Sequence, residues 1–428
     1  MTQFKCGPPA RHFDTLETRD PAAREQDLFQ RLPAQLAHAI ANAPAFTRIL
    51  AGVDPRMIDS RAALATLAVT RKSALLELQK ADRPFGGFAA TGWGGHRNRA
   101  LRVFASPGPL YEPETARPDY WRLGRALVAA GFDAGDLIHN TFAYHFTPAG
   151  SMVEAAAAAI GCTVFPAGTG QTEMQVQAIA ELKPDGYVGT PSFLKIILDK
   201  ANEAGADVSS LKKAMVSGEP FPNALRDALA ARGIAAYQAY ATADLGCIAY
   251  ESGARSGLIV DEGVIVEIVR PGTGDPVSPG EVGEVVVTTF NPDYPLIRFG
   301  TGDLSAVITE SITSPSACGR TNIRLKGWLG RADQTAKVKG MFVHPSQVAD
   351  IARRHPEIAR ARLIIDNPEG IDRMTLHCEL RERGSALPAA LAETIREITK
   401  LRAEAVLREP GSLPNDGRVI DDVRPVGA

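Results

Sequence analysis

Apolar residues recur at helical spacing through Ala23–Asn42 and again across Asp59–Gln79, so the chain opens on a helical region. Gly86–Gly95 is a run of glycines and small residues and reads as loop. From Pro118 the pattern changes to an alternation of helix and strand. Helices are predicted at Asp119–Ala130, Ser151–Ile160 and Thr172–Leu182, with strands at Asp136–Asn140, Cys162–Pro166 and Gly186–Gly189. That rhythm predicts a layered α/β domain with a largely parallel sheet. Val264–Phe290 breaks it: two runs rich in Val and Ile flank Pro271–Glu281, dense in Gly and Pro, which predicts a β-rich subdomain. After Gly340 the predicted order is strand (Met341–His344), helix (Ser346–Arg354), strands (Ala361–Ile365, Arg373–Leu380), helix (Pro388–Leu401) and strand (Glu404–Arg408). This is a small separate α+β domain, and the short polar stretch Arg331–Lys339 before it reads as a hinge.

A chain of 428 residues calls for two or three domains, and 45% hydrophobic with 22% charged residues is a globular composition. The net charge of −2 gives no reason to expect nucleic acid or an anionic membrane as partner. The longest apolar stretches, such as Met152–Ile160, are too short to span a bilayer, and Met1–Ala10 has no apolar core of a signal peptide. The cysteines at 6, 162, 247, 318 and 378 are odd in number and far apart, so they form no disulfide framework. A cytoplasmic location is expected.

Several segments carry a resemblance: Gly161–Val176 (GCTVFPAGTGQTEMQV), Val216–Asn223 (VSGEPFPN), Gly280–Phe290 (GEVGEVVVTTF) and PGSLP at Pro410–Pro414. In this order and spacing the chain resembles the phenylacetate–CoA ligase family of adenylate-forming enzymes, over nearly its whole length. The resemblance implies activation of a carboxylic acid with ATP and Mg²⁺ to an acyl-adenylate, then transfer of the acyl group to coenzyme A. The fold it implies is an α/β adenylate-forming one. It has an N-terminal AMP-binding domain over 1–332, with a β subdomain at about 255–330, and a small mobile α+β domain over 333–428. The nucleotide and CoA site is expected between the two domains. Dimers are frequent in the family, so a homodimer is among the assemblies it allows.

Residue by residue, the resemblance implies the following roles. Gly218, Glu219 and Pro220 form a turn beneath adenine, where a glycine lets the backbone approach a flat base; alone, a Gly-Glu-Pro turn is an ordinary loop. Tyr240 stacks on adenine, Thr242 or its neighbour touches the α-phosphate, and Asp244, a hard oxygen ligand, holds Mg²⁺. Asp244 stands where the family has Glu, one methylene longer. Asp303 takes the ribose hydroxyls, Arg331 reaches the nucleotide and Asp333 is the hinge. Phe142, Tyr144 and His145, in Asn140–Phe146, line the acyl pocket, whose aromatic character favours an aryl or short hydrophobic acid; the same residues could equally be core.

Three departures qualify the resemblance. Family members place a Ser/Thr/Gly-rich loop ending in Gly-Lys-Pro over the phosphates, whereas Phe104–Pro113 keeps only Ser106 and Gly108 of it. Its prolines remove N–H donors, and Glu112, near the lost lysine, is expected to repel a triphosphate. After PGSLP the family has a catalytic lysine; here Asn415–Asp421 has only Arg418, and no lysine follows Lys400. The family's zinc segment retains one cysteine, Cys318, with Ser252 and Ile259 at the upstream ligand positions, so no zinc is expected. Two readings stay open: a ligase in which Arg418 or another cation replaces the lysine, and a relative that binds AMP, CoA or acyl derivatives or only transfers from a preformed adenylate.

Overall fold

The computed structural model describes residues 11–93, 99–106, 110–332, 334, 336–338, 341–367, 372–382 and 388–424. By contacts the chain divides into two compact units. The first comprises 1–266, 287–299 and 307–328; the second comprises 267–286, 300–306 and 329–428.

The first unit opens on the helix Pro21–Asn42, capped by the Asp20 side chain and started by a proline at its first position. The apolar pattern over 59–79 resolves into two helices rather than one. Ser60 caps Arg61–Ala65, and a second helix, Lys72–Ala81, starts after the extended residues Thr70–Arg71. The β-branched Val69 and Thr70 between them favour the extended chain over a continuous helix. The helix expected over 119–130 is also shorter, Gly124–Ala129. Asp119 and Arg122 have φ of 45° and 61°, and the Asp119 carboxylate accepts from the Gly124 amide at 3.1 Å, so the segment begins as a side-chain-braced turn.

The centre of this unit is an eight-stranded sheet. From edge to edge it runs Arg324–Leu325, Leu258–Val260, Gly246–Tyr250, Ala235–Thr242, Lys213–Val216, Gly186–Gly189, Leu137–Asn140, Thr163–Phe165. The pairings among the last five of these are parallel, as the helix–strand alternation predicts, while Ala235–Thr242 turns back on Gly246–Tyr250 antiparallel. Helices Ala149–Ile160, Thr172–Leu182 and Pro191–Ala204 connect the parallel strands. Two apolar clusters form its core. One is built on Trp121, Leu127, Phe132, Val153 and Val188, the other on Ile179, Tyr187, Leu194, Ile197 and Val216.

In sheet order, Val264–Val269, Gly283–Thr289 and Phe299–Ser305 are neighbours, and the short strand Gly330–Arg331 pairs antiparallel with the last. Within the second unit, a four-stranded sheet runs Glu404–Arg408, Arg373–Leu380, Ile358–Asp366, Ile420–Asp422. Helices Pro345–Arg354 and Pro388–Thr399 cover it, burying Val348, Ile351, Leu363, Ile365, Leu376, Leu391 and Ile395. One small set of side chains therefore supplies a complete core for the α+β layer.

Candidate active site

The segment expected to overlie the phosphates is an antiparallel ribbon, Arg102–Ser106 paired with Leu110–Glu114, in register from Arg102 opposite Glu114 to Ser106 opposite Leu110. Gly108 lies outside the described residues. Besides the donors used in the ladder, the Ala105 amide donates to the Phe146 carbonyl and the Tyr111 amide to Gln79 Oε1, each at 2.8 Å, so these backbone donors are already committed. Ser106 is buried, and its hydroxyl donates to Glu112 Oε1 at 2.5 Å.

Glu112 differs from its sequence reading. It is fully buried, so burial first, and then the nearby charge of Asp244, push its carboxyl up to about 8; the Ser106 hydrogen bond and the Lys72 charge pull the other way without prevailing. At neutral pH Glu112 therefore holds its proton and presents no charge to repel a phosphate.

Asp244 lies in the turn that joins Ala235–Thr242 to Gly246–Tyr250. Its side chain is fully buried, and Oδ2 is held at 2.5 Å by Lys72 Nζ. Oδ1 is buried with no hydrogen-bond partner among the described residues. One orphaned, hard carboxylate oxygen fits a magnesium ion that takes a single ligand here and the rest from phosphates and water. Thr242 Oγ1 accepts from the Leu245 amide at 3.1 Å and so shapes this turn. Tyr240 is half-buried two residues earlier on the strand.

Gly218 is exposed, with φ of 86°, a conformation that suits glycine. A Cβ there would lie 3.6 Å from the Thr190 methyl group and 3.8 Å from the Phe142 ring, so the turn expected beneath adenine and the segment expected at the acyl pocket are neighbours. Glu219 accepts from the Ser192 amide at 2.6 Å, at the start of helix Pro191–Ala204. Its carboxylate serves the helix N-terminus, where negative charge is favoured; Pro220 beside it is exposed. Phe142 is half-buried, whereas Tyr144 and His145 are exposed. Asn140 fixes this segment by donating to the Tyr144 hydroxyl at 2.8 Å and to the Gly150 carbonyl at 3.1 Å.

In the second unit, Arg331 donates to Asp303 Oδ1 at 2.8 Å and to the Thr301 carbonyl at 3.4 Å. Gly302, at φ of 74°, makes this approach work: a Cβ would meet the Arg331 guanidinium at 2.6 Å. Asp333 lies outside the described residues. Its neighbour Gln334 donates to the Gly417 carbonyl at 3.0 Å and accepts from the amides of Val419 and Ile420, so this residue is tied to the tail. Arg418 is 57% exposed and donates to Asp421 Oδ1 at 2.8 Å. Burial opposes ionisation of Asp421, but hydrogen bonds from Arg362 and Arg418 hold its carboxyl below the usual value. Sequence reasoning missed Lys72 and Gln334, since neither falls within a motif.

Where the zinc segment was expected to be degraded, the Ser252 hydroxyl donates to Cys318 Sγ at 3.1 Å and the Arg320 guanidinium at 3.6 Å, while the thiol donates to Ser316 Oγ at 3.3 Å. Hydrogen-bonding side chains therefore surround this sulfur. Among the described residues no group of three or more His, Cys, Asp or Glu side chains is placed to hold a metal, and no helix is long and apolar enough to cross a membrane.

Comparison with known proteins accords with this arrangement. The AMP-binding enzyme family model matches residues 121–291. The phenylacetate–coenzyme A ligase of Aromatoleum evansii is 30% identical over 411 residues, covering 89% of each chain. The enzyme of the same name from Thermus thermophilus is 28% identical, covering 94% of this chain and 95% of its own. Among solved structures, 2-hydroxyisobutyryl-CoA ligase, crystallised in an open conformation with its acyl-adenylate and CoA, superposes with a TM-score of 0.70. It is 23% identical and covers 96% of this chain and 94% of its own, a likeness of fold. With near-complete coverage at this identity, the chain belongs to the phenylacetate–CoA ligase family of AMP-forming acid–thiol ligases.

Proposed function

We propose that this chain activates an aromatic or small carboxylic acid with ATP to an acyl-adenylate and passes the acyl group to coenzyme A. The observation that carries the reading is the family match along nearly the whole chain. The placement of the acid side chains is compatible with it. Asp303, on its strand beside Arg331, offers a carboxylate whose two oxygens suit a pair of ribose hydroxyls. Gly218 offers an open backbone edge for adenine, and the neighbouring Phe142 an aromatic surface for the acyl group.

Magnesium, when bound, would neutralise phosphate charge and polarise the reacting phosphoryl group. Asp244 would hold it through Oδ1. The chain's own residues do the rest: Thr242 shapes the turn that carries Asp244, and Glu112 stays neutral beside it.

The test is ATP–pyrophosphate exchange with phenylacetate, benzoates and short aliphatic acids, comparing the wild type with Asp303→Ala. Exchange that disappears in Asp303→Ala supports the reading; no exchange with any acid overturns it. A second reading is favoured by one observation: neither the ribbon nor the tail brings a lysine to the phosphates. In that reading the protein accepts a preformed acyl-adenylate, and a synthetic adenylate supplied with CoA would be turned over although ATP and free acid are not. Stabilisation on heating by AMP but not ATP would accompany it.

A further inference from the structure

Two segments assigned to phosphate and metal converge on one side chain. Lys72 is the first residue of helix Lys72–Ala81, and its ammonium is 2.5 Å from Asp244 Oδ2. Glu112 lies within electrostatic reach of both Lys72 and Asp244, and its Oε1 accepts from the Ser106 hydroxyl on the ribbon. Ribbon, metal-site turn and helix start are therefore brought together in the first unit. Helix stability does not explain a lysine there, because a cation at a helix N-terminus meets the positive end of the dipole.

Across this contact the Lys72 ammonium matches the Asp244 carboxylate. The Asp244 side chain is wholly buried, yet the Lys72 side chain keeps 29% of its surface exposed. An ammonium has three donors, and the carboxylate contact uses one.

We propose that Lys72 is a catalytic residue of the acid-activating step, its ammonium donating to the reacting phosphate of ATP while Asp244 anchors it from behind. This rests on the ligase reading above. In that step a carboxylate oxygen of the acid attacks the α-phosphorus. A carboxyl-oxygen-to-phosphorus bond forms, the bond from the α-phosphorus to the bridging oxygen breaks, and its electron pair leaves with pyrophosphate. No proton moves. Negative charge grows on the bridging oxygen, and Lys72 balances it in place of the lysines absent from Phe104–Pro113 and from the tail beyond Lys400.

The experiment measures wild type, Lys72→Met and Lys72→Arg in two assays with a melting curve for each. The first assay is ATP–pyrophosphate exchange with the acid panel; the second is CoA acylation from a synthetic acyl-adenylate, which bypasses the activating step. Lys72→Met is expected to lose exchange by about 100-fold or more while acylation stays within about threefold of wild type. Lys72→Arg keeps the ion pair and the fold should Lys72→Met fail to fold. Its planar fork locks onto the carboxylate, so exchange falls about tenfold. Exchange at the wild-type rate in Lys72→Arg, or a parallel fall of exchange and acylation in folded Lys72→Met, overturns the proposal while the ligase reading stands. Absence of exchange in wild type overturns both.

Discussion

The molecule holds two acid–base pairs at residues implicated in nucleotide chemistry, and they are built in opposite ways. Lys72–Asp244 joins a fully buried carboxylate to a lysine that is 29% exposed; Arg331–Asp303 joins a carboxylate that is 13% exposed to an arginine that is 53% exposed. A buried carboxylate is tolerated only with its partner, because solvation no longer compensates its charge. A pair open to water contributes little to stability, and each member can exchange its partner for a ligand at small cost. The first pair is thus fixed in the fold, and the second is able to exchange its partner for a ligand.

The largest expected effect is on the buried pair. Lys72→Met leaves the buried Asp244 side chain without its partner, and should lower stability by about 3 kcal/mol in urea unfolding. Asp303→Ala, removing the open pair, should cost under about 1 kcal/mol while abolishing exchange. If the two substitutions cost the same, the contrast between the pairs does not hold.

Next in size is a pH effect at Glu112. Its carboxyl is pushed from the usual 4.5 of a glutamate up to about 8 in the fold, by burial and then by Asp244. The unfolded chain therefore releases the proton at lower pH than the folded one. The stability tied to that proton is complete below about pH 4.5 and drains away as pH rises to 8. Glu112→Gln has the shape of the protonated acid and no proton to lose. It should match wild type near pH 4 and exceed it by about 2 kcal/mol at pH 6 in parallel unfolding curves. A constant difference across that range would place Glu112 as an ordinary ionised acid.

The same contrast marks what the sequence made legible. Strands Gly186–Gly189 and Arg373–Leu380 and helix Thr172–Leu182 match their patterns to the residue, because local apolar spacing decides them. The helix expected from Asp119 fails at its start, since the Asp119 turn depends on a side chain reaching five residues ahead. The exposed pair was reachable from motifs, being 28 residues apart in segments that resemble the family. The buried pair spans 172 residues, and Lys72 lies in no motif, so nothing local announces it. Glu112 was visible as a residue and misjudged as a charge: its sign at neutral pH depends on burial, which only the folded chain sets.

The smallest effect is expected at Arg418, the cation nearest the position of the missing tail lysine. Its guanidinium is 57% exposed and bound to Asp421, which Arg362 also holds at 2.6 Å. Asp421 therefore keeps a partner when Arg418 is removed. Arg418→Ala should change stability by under about 0.5 kcal/mol. If Lys72 carries the phosphate charge, exchange by Arg418→Ala should fall under about tenfold, against the 100-fold of Lys72→Met. The reverse order, with Arg418→Ala the more damaging in exchange and equally benign in unfolding, would move the activating cation from the buried pair to the tail. The open surface would then be the place where this protein replaces its lost lysine, and the buried pair would be structural alone.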